Sequence, residues 1–191
     1  LARVNVLCVD KTGTITRPDM SVSDVVFLKD NVGKLIAGVA GNMDDDNETM
    51  KAIKDYYHIT GRDNSAERVY SFSSQNKYSG AVLDGRCYIF GAPEYVLLDT
   101  YAEYEDIFER YSGHGERILV FGECVGDPCG NIIEEAVNPY AFIILENEIR
   151  DTAKETFGYF ASQGVDIVVI SGDNPVTASK VAVRAGINNA E

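Results

Sequence analysis

Two short loops of this sequence hold the residue types that group-transfer chemistry needs. The first is Asp10-Lys-Thr-Gly-Thr-Ile-Thr16, in which a carboxylate precedes a glycine-containing turn. A carboxylate at a strand tip can attack a phosphorus atom while the free backbone N–H groups of such a turn hold its equatorial oxygens. The second is Ser171-Gly-Asp-Asn-Pro175, where Pro175 suits the first position of a helix. A hydroxyl, turn amides and the positive end of a helix gather there for an anion. Taken alone, each loop also reads as a hydroxyl-rich turn between a strand and a helix.

For the two loops to work together, a sheet has to carry both. Val4-Asn-Val-Leu-Cys-Val9 is a short, mostly apolar run, expected as a strand covered on both faces, with Asp10 at its C-terminal edge. After Pro139 the pattern reads strand (140–145), helix (151–163), strand (165–170) and helix (about 175–185), the alternation of parallel β-α units. Ligands bind at the carboxyl edge of such a sheet. The expected architecture is an α/β domain built from residues 1–20 and 139–191, with an α+β domain over 21–138 inserted into it.

Within the insertion, Val22–Leu28 suggests a strand and Val32–Gly41 a helix. Asp45-x-x-Glu48 resembles a capping box, followed by Met50, Ile53 and Tyr57 at helical spacing up to Gly61. Two β-prone runs flank Asp84-Gly85 between Tyr78 and Phe90, which predicts an antiparallel hairpin. Tyr104, Ile107, Phe108 and Tyr111 form one helical stripe stopped by Gly113, Arg117–Cys124 reads as a strand, and 126–130 as a turn.

Composition narrows the function classes. With 191 residues, 45% of them hydrophobic, the chain can bury a sizeable core. Thirty acidic against 17 basic residues give a net charge of −13, which repels a phosphodiester backbone and argues against a nucleic-acid partner. The longest apolar stretches, Tyr140–Leu145 and Ile167–Ile170, fall far short of the roughly 18 residues that span a bilayer. No membrane insertion by this chain is expected, and its start lacks the apolar run of a secretion signal, so the expected compartment is cytoplasmic. Cysteines stand at 8, 87, 124 and 129 without a Cys-x-x-Cys pair, and there are two histidines, which speaks against zinc. Cys124-x4-Cys129 could bridge, but reduced, small hydrophobes are the expectation in that compartment.

The heptapeptide from Asp10 to Thr16 resembles, at all seven positions, the phosphorylation motif of the P-type ATPases, the ion and lipid pumps of the haloacid dehalogenase superfamily. The resemblance runs the length of the chain. It implies a Rossmann-like sheet domain of that superfamily, with the insertion as nucleotide-binding domain. It also implies that ATP phosphorylates Asp10 within a catalytic loop that includes Lys11. Thr12 would offer its main-chain carbonyl to Mg²⁺ beside the Asp10 carboxylate, and Thr14 would hydrogen-bond the phosphoryl oxygens. Val169-Ile-Ser-Gly-Asp-Asn174 resembles the second motif of the phosphorylation domain. There Ser171, with Gly172, would bind phosphate oxygen, and Asp173 would help position ATP or make hinge contacts.

The insertion is similar to the family's nucleotide-binding domain. Phe72-Ser-Ser-Gln-Asn-Lys77 matches the aromatic and lysine expected at adenine and phosphates; physically, Phe72 can stack on a purine and Lys77 can neutralise charge. Taken singly, they read as core and surface. The resemblance adds Glu48 near the adenine, Gly91 and Ala92 of Gly91-Ala-Pro-Glu94, Arg117 toward the phosphates, and Arg150 of the hinge segment Asn147-Glu-Ile-Arg150. Two departures stand out: Phe90 where a lysine is usual, which removes a cation from beside the nucleotide, and Asn147 where an aspartate is usual.

The later acidic loop of the Mg²⁺ site, the lysine that steadies the phosphoryl group, the actuator domain and the transmembrane helices have no counterpart in these 191 residues. The chain is expected to be part of a larger pump at the cytoplasmic face of a membrane, with those domains of the same polypeptide as partners. Two other readings stay open. A soluble phosphohydrolase of the superfamily would carry an acid two residues after the nucleophile, where this chain has Thr12. A fragment that binds nucleotide without turnover is the other. The transported ion is set by side chains inside the membrane and is not legible here.

Overall fold

The computed structural model describes residues 4–44, 47–112, 116–128, 132–171 and 175–187. Its contacts fall into two compact units, residues 1–20, 110–116 and 146–191 in the first, and 21–109 and 117–145 in the second.

The first unit holds the strands β1 (Val6–Asp10) and β8 (Asp166–Ile170), which pair in parallel with Leu7 opposite Ile167, Val9 opposite Val169 and Asp10 opposite Ile170. Side chains alternate across a strand, so Leu7, Val9, Ile167 and Val169 share one face. That face packs on Phe157 of α5 (Ala153–Ser162) and on Val181 and Ala182 of α6 (Pro175–Arg184). The other face carries Val6, Val168 and Ile170, which are 52%, 47% and 57% exposed. The expectation that the first strand is covered on both faces is therefore corrected. An apolar run with period near one cannot say how many helix layers reach it, and among the described residues both helices pack on the same side.

The second unit is built on a six-stranded sheet in the order β2-β7-β6-β5-β4-β3. Its strands are β2 (Thr16–Phe27), β3 (Arg68–Tyr70), β4 (Tyr78–Leu83), β5 (Arg86–Gly91), β6 (Arg117–Glu123) and β7 (Asn138–Ile149). β2 and β7 are long enough to carry the chain from one unit into the other. Asp84 and Gly85 close the β4–β5 hairpin with φ of 50° and 69°, the left-handed pair that a type I′ turn requires. α1 (Val32–Asn42), α2 (Glu48–Tyr56), the short α3 (Pro93–Val96) and a 3-10 stretch (Leu98–Tyr104) also belong to this unit, as does the start of α4 (Glu105–Ser112).

Two local expectations change. Residues 140–145 do not open the parallel alternation: they are the middle of β7, antiparallel to β6 with Ile143 opposite Leu119. A strand buried on both faces reads the same in either kind of sheet. The cap of α2 is Asn47, whose side-chain oxygen accepts the Met50 N–H at 2.9 Å, rather than Asp45, which lies outside the described residues. The hydrogen-bond geometry of a cap decides between neighbouring polar residues that the sequence cannot rank.

Gly91 shows how tightly the end of β5 is packed. A Cβ built there would lie 2.3 Å from Cγ1 of Val96 in α3 and 3.3 Å from Cβ of Tyr78. Gly91→Ala should therefore cost about 1–3 kcal/mol through overpacking, read as a lowered denaturant midpoint; unchanged stability would mean that α3 can yield.

Candidate functional site

In the first unit, the parallel register puts the two chemistry-bearing loops side by side. Asp10 is the last residue of β1, exposed, and opposite Ile170, the residue immediately before Ser171. Ser171 is half-buried. Gly172 and Asp173 lie outside the described residues, as do the side chains of Pro175 and Thr177.

The chain then makes a wide turn over Lys11–Ile15, closed by the Thr16 N–H, which donates to the Lys11 carbonyl. The Thr16 hydroxyl donates to the same oxygen at 3.3 Å, and Thr16 is 1% exposed. Inside the turn, Thr12 is extended (φ −80°, ψ 124°) and Gly13 takes a φ of 82°. Thr12 and Thr14 are exposed, Lys11 is 5% exposed, and Ile15 is fully buried among Val9, Phe157 and Ala182. One apolar side chain thus pins the loop to the core, and the carboxylate and hydroxyls stay at the surface.

Arg150, expected among the nucleotide-binding residues, hydrogen-bonds this loop: its guanidinium donates to the Gly13 carbonyl at 2.7 Å and its own N–H to the Ile15 carbonyl at 3.0 Å. Arg17 donates to Asp151 at 3.0 Å and lies 3.7 Å from Glu148. Together with Pro18, Asp19 and Thr152, these arginines and Asp151 line a cleft of about 380 Å³. Asn147 places its amide N–H within 3.1 Å of the Asp19 carbonyl and 3.3 Å of that of Pro18. An ionised aspartate has no proton to donate to either oxygen, so the amide suits this position where a carboxylate would not. Arg17 and Thr16 carry no role in the sequence reading, because their value lies in contacts that exist only once the loop is folded.

In the second unit, two weak motifs meet. The Phe72–Lys77 turn is held by the Ser73 hydroxyl, which accepts the N–H groups of Gln75 and Asn76, and by the Lys77 N–H on the Ser73 carbonyl at 2.9 Å. The Lys77 carbonyl then accepts the Ala92 N–H at 3.2 Å, so Lys77, Gly91 and Ala92 form one corner. The Lys77 ammonium lies 5.9 Å from the Tyr95 ring centre, and Phe72 is 46% exposed. An exposed phenylalanine five positions before a lysine offers the residue types for a flat apolar ligand with attached negative charge. Glu48 and Arg117, both exposed, are the first residues of α2 and β6. Phe90 is core: it is 2% exposed and packs on Phe121 with ring centres 4.9 Å apart.

If Arg150 steadies the loop, Arg150→Ala should leave global stability almost unchanged. It should speed amide exchange at Thr16 by about tenfold or more, the worth of one hydrogen bond to a charged donor. Identical exchange in the variant would make that contact ornamental.

Comparison with known proteins bears on all of this. Residues 4–190 match the sequence model of the haloacid dehalogenase-like hydrolases. Over 190 residues and 98% of its length the chain is 37% identical to a calcium-transporting ATPase, CtpE, of Mycolicibacterium smegmatis, of which it covers 24%. It is 35% identical over 194 residues to a probable cation-transporting ATPase, exp7, of Streptococcus pneumoniae, covering 97% of this chain and 24% of that protein. The chain thus spans about a quarter of the length of these relatives. Its fold is that of a zinc-transporting PIB-type ATPase in the E2.Pi state (TM-score 0.66, 18% identity, 97% of this chain and 28% of that one). It is also that of the catalytic CPx-ATPase domain CopB-B (TM-score 0.61, 15% identity, 97% and 59%). The chain belongs to the haloacid dehalogenase-like hydrolase family.

Proposed function

We propose that this chain is the ATP-binding and phosphorylation region of a cation-transporting ATPase, and that Asp10 is the residue phosphorylated. One observation carries the reading: an exposed carboxylate ends β1 directly beside the β8 strand that leads into Ser171, on a loop whose carbonyls are tied down by Thr16 and Arg150. A carboxylate oxygen of Asp10 attacks the γ-phosphorus of ATP, the bond from that phosphorus to the bridging oxygen breaks, and ADP leaves with the electron pair. The acyl phosphate formed is a mixed anhydride. The loop amides, the Thr14 hydroxyl and Ser171 with Gly172 stabilise charge on the transferring group, so that catalysis is mostly positioning and electrostatics. Lys11 and Asp173 complete the two loops.

The Asp10 carboxylate and the Thr12 carbonyl are hard oxygen donors, the set that Mg²⁺ takes, with water and phosphate for the remaining positions. When bound, Mg²⁺ neutralises phosphate charge. The Phe72 ring and the Lys77, Gly91 and Ala92 corner serve the adenine and phosphates, with Glu48 and Arg117 as further contacts. Arg150 acts on the loop of Asp10 rather than on the nucleotide.

Turnover as a free phosphatase fits less well. An acid for the leaving group belongs two residues after the nucleophile, and the exposed side chain there is that of Thr12. No described helix is long and apolar enough to cross a membrane; since the chain spans about a quarter of its relatives' length, the proposal assigns ion movement to other parts of a longer polypeptide.

In the full-length pump, Asp10→Asn should abolish acid-stable phosphoenzyme formed from labelled ATP, whereas label persisting at another residue would refute the assignment. Separately, ATP titrated into the chain should move the backbone amide resonances of Phe72, Lys77 and Ala92; shifts confined to other segments would remove the pocket from this surface.

A further inference from the structure

A pair of thiols that the phosphoryl chemistry does not use faces each other across the six-stranded sheet. The β5–β6 register sets Tyr88 opposite Glu123, so Cys87 and Cys124 stand opposite one another one position further along. The Cys124 N–H donates to the Cys87 carbonyl at 2.9 Å. Opposite residues of an antiparallel pair project to the same face, with Cα atoms about 5.5 Å apart when the pair is hydrogen-bonded. That lies within the roughly 4.4–6.8 Å that a disulfide spans.

Both cysteines are free thiols here; Cys87 is 4% exposed and Cys124 is half-buried. The two side chains hydrogen-bond each other. That bond draws the Cys87 thiol below its usual range, and the same bond with burial holds that of Cys124 well above it.

The segment after Cys124 is clamped. Arg68 of β3 pairs with Asp127 at 2.6 Å, and the Tyr70 hydroxyl, also within 3.2 Å of Arg68, donates to the other Asp127 oxygen. Burial, then the bond to Asp127, push Tyr70 up to about 12, so it remains a donor at neutral pH. The Cys124 end of β6 is thereby fastened to the sheet.

We propose that Cys87 and Cys124 form a redox-modification site, at which a hydroperoxide converts the dithiol into a cross-strand disulfide that staples β5 to β6. One sulfur, as thiolate, attacks the terminal peroxide oxygen; the O–O bond breaks and water or an alcohol leaves, giving a sulfenic acid. The second sulfur displaces the sulfenic oxygen as water, carrying off the thiol proton, and the S–S bond forms. Two thiols and one peroxide are consumed, and the product is the same whichever sulfur reacts first. A thiol reductant reverses the step by exchange. The staple spans the strand that ends at Gly91 and fixes its register against β6.

The test is a thiol map of the native protein before and after brief exposure to hydrogen peroxide, with alkylation, digestion and mass spectrometry. The expected result is a linked Cys87–Cys124 peptide pair lighter by two hydrogens than its parts, resolved by dithiothreitol, with exposed Cys8 still alkylated as a separate thiol. Cys87→Ser and Cys124→Ser should each abolish the link and leave a sulfenic acid on the remaining partner that dimedone traps. A bond from Cys124 to Cys129 instead, or both thiols remaining alkylatable or each oxidised to sulfinic acid alone, overturns the proposal.

Discussion

Parallel hydrogen bonding between β1 and β8 is the constraint on which the site rests. Residues 10 and 171 are 161 positions apart in the chain, and only the pairing of Asp10 with Ile170 makes them neighbours. The register is enforced by apolar alternation: Leu7, Val9, Ile167 and Val169 must share the face that α5 and α6 cover. A slip of one residue would turn that set to the exposed side and carry the Asp10 carboxylate toward the core, where its charge would go unsolvated. The position of the Asp10 carboxylate is thus a consequence of hydrophobic burial behind it.

Burial alone would leave a carboxylate on a floppy loop. The turn after Asp10 is held from three directions: Ile15 is driven into the core, Thr16 returns two donors to the Lys11 carbonyl, and Arg150 reaches the Gly13 carbonyl from beyond β7. These contacts fix the Lys11 and Gly13 carbonyls, and the Arg150 N–H fixes that of Ile15, so the backbone of the turn is held in one conformation. The arginines nearby neutralise acidic neighbours, Arg17 with Asp151 and Glu148, so the local field is less negative than the net charge of −13 suggests.

The second unit builds its candidate corner where β4 begins and β5 ends. Lys77 takes a positive φ of 59° so that its carbonyl can meet the Ala92 N–H, and the corner so formed sits where Gly91 lets α3 approach closely. The same sheet, further along β5 and β6, brings Cys87 to Cys124. Close strand spacing marks both ends: a tight backbone corner at one, and two cysteines directly opposite one another at the other.

From the sequence alone, much of the local structure was legible because it rests on short-range rules. The Asp84-Gly85 hairpin, the helices after Val32 and Pro175, and β8 all occur where turn chemistry, spacing and apolar runs put them. The heptapeptide at Asp10 carried the family by itself, since its chemistry is contiguous. What depended on long-range packing was not legible: which sheet the run at 140–145 joins, that one face of β1 is exposed among the described residues, that Arg150 bonds the Gly13 carbonyl, and that Cys124 stands opposite Cys87. A residue's type states what it can bond with, and a linear chain determines which groups lie within a few positions. The partner across a sheet is chosen only when the whole core closes and the register with the most buried apolar surface wins.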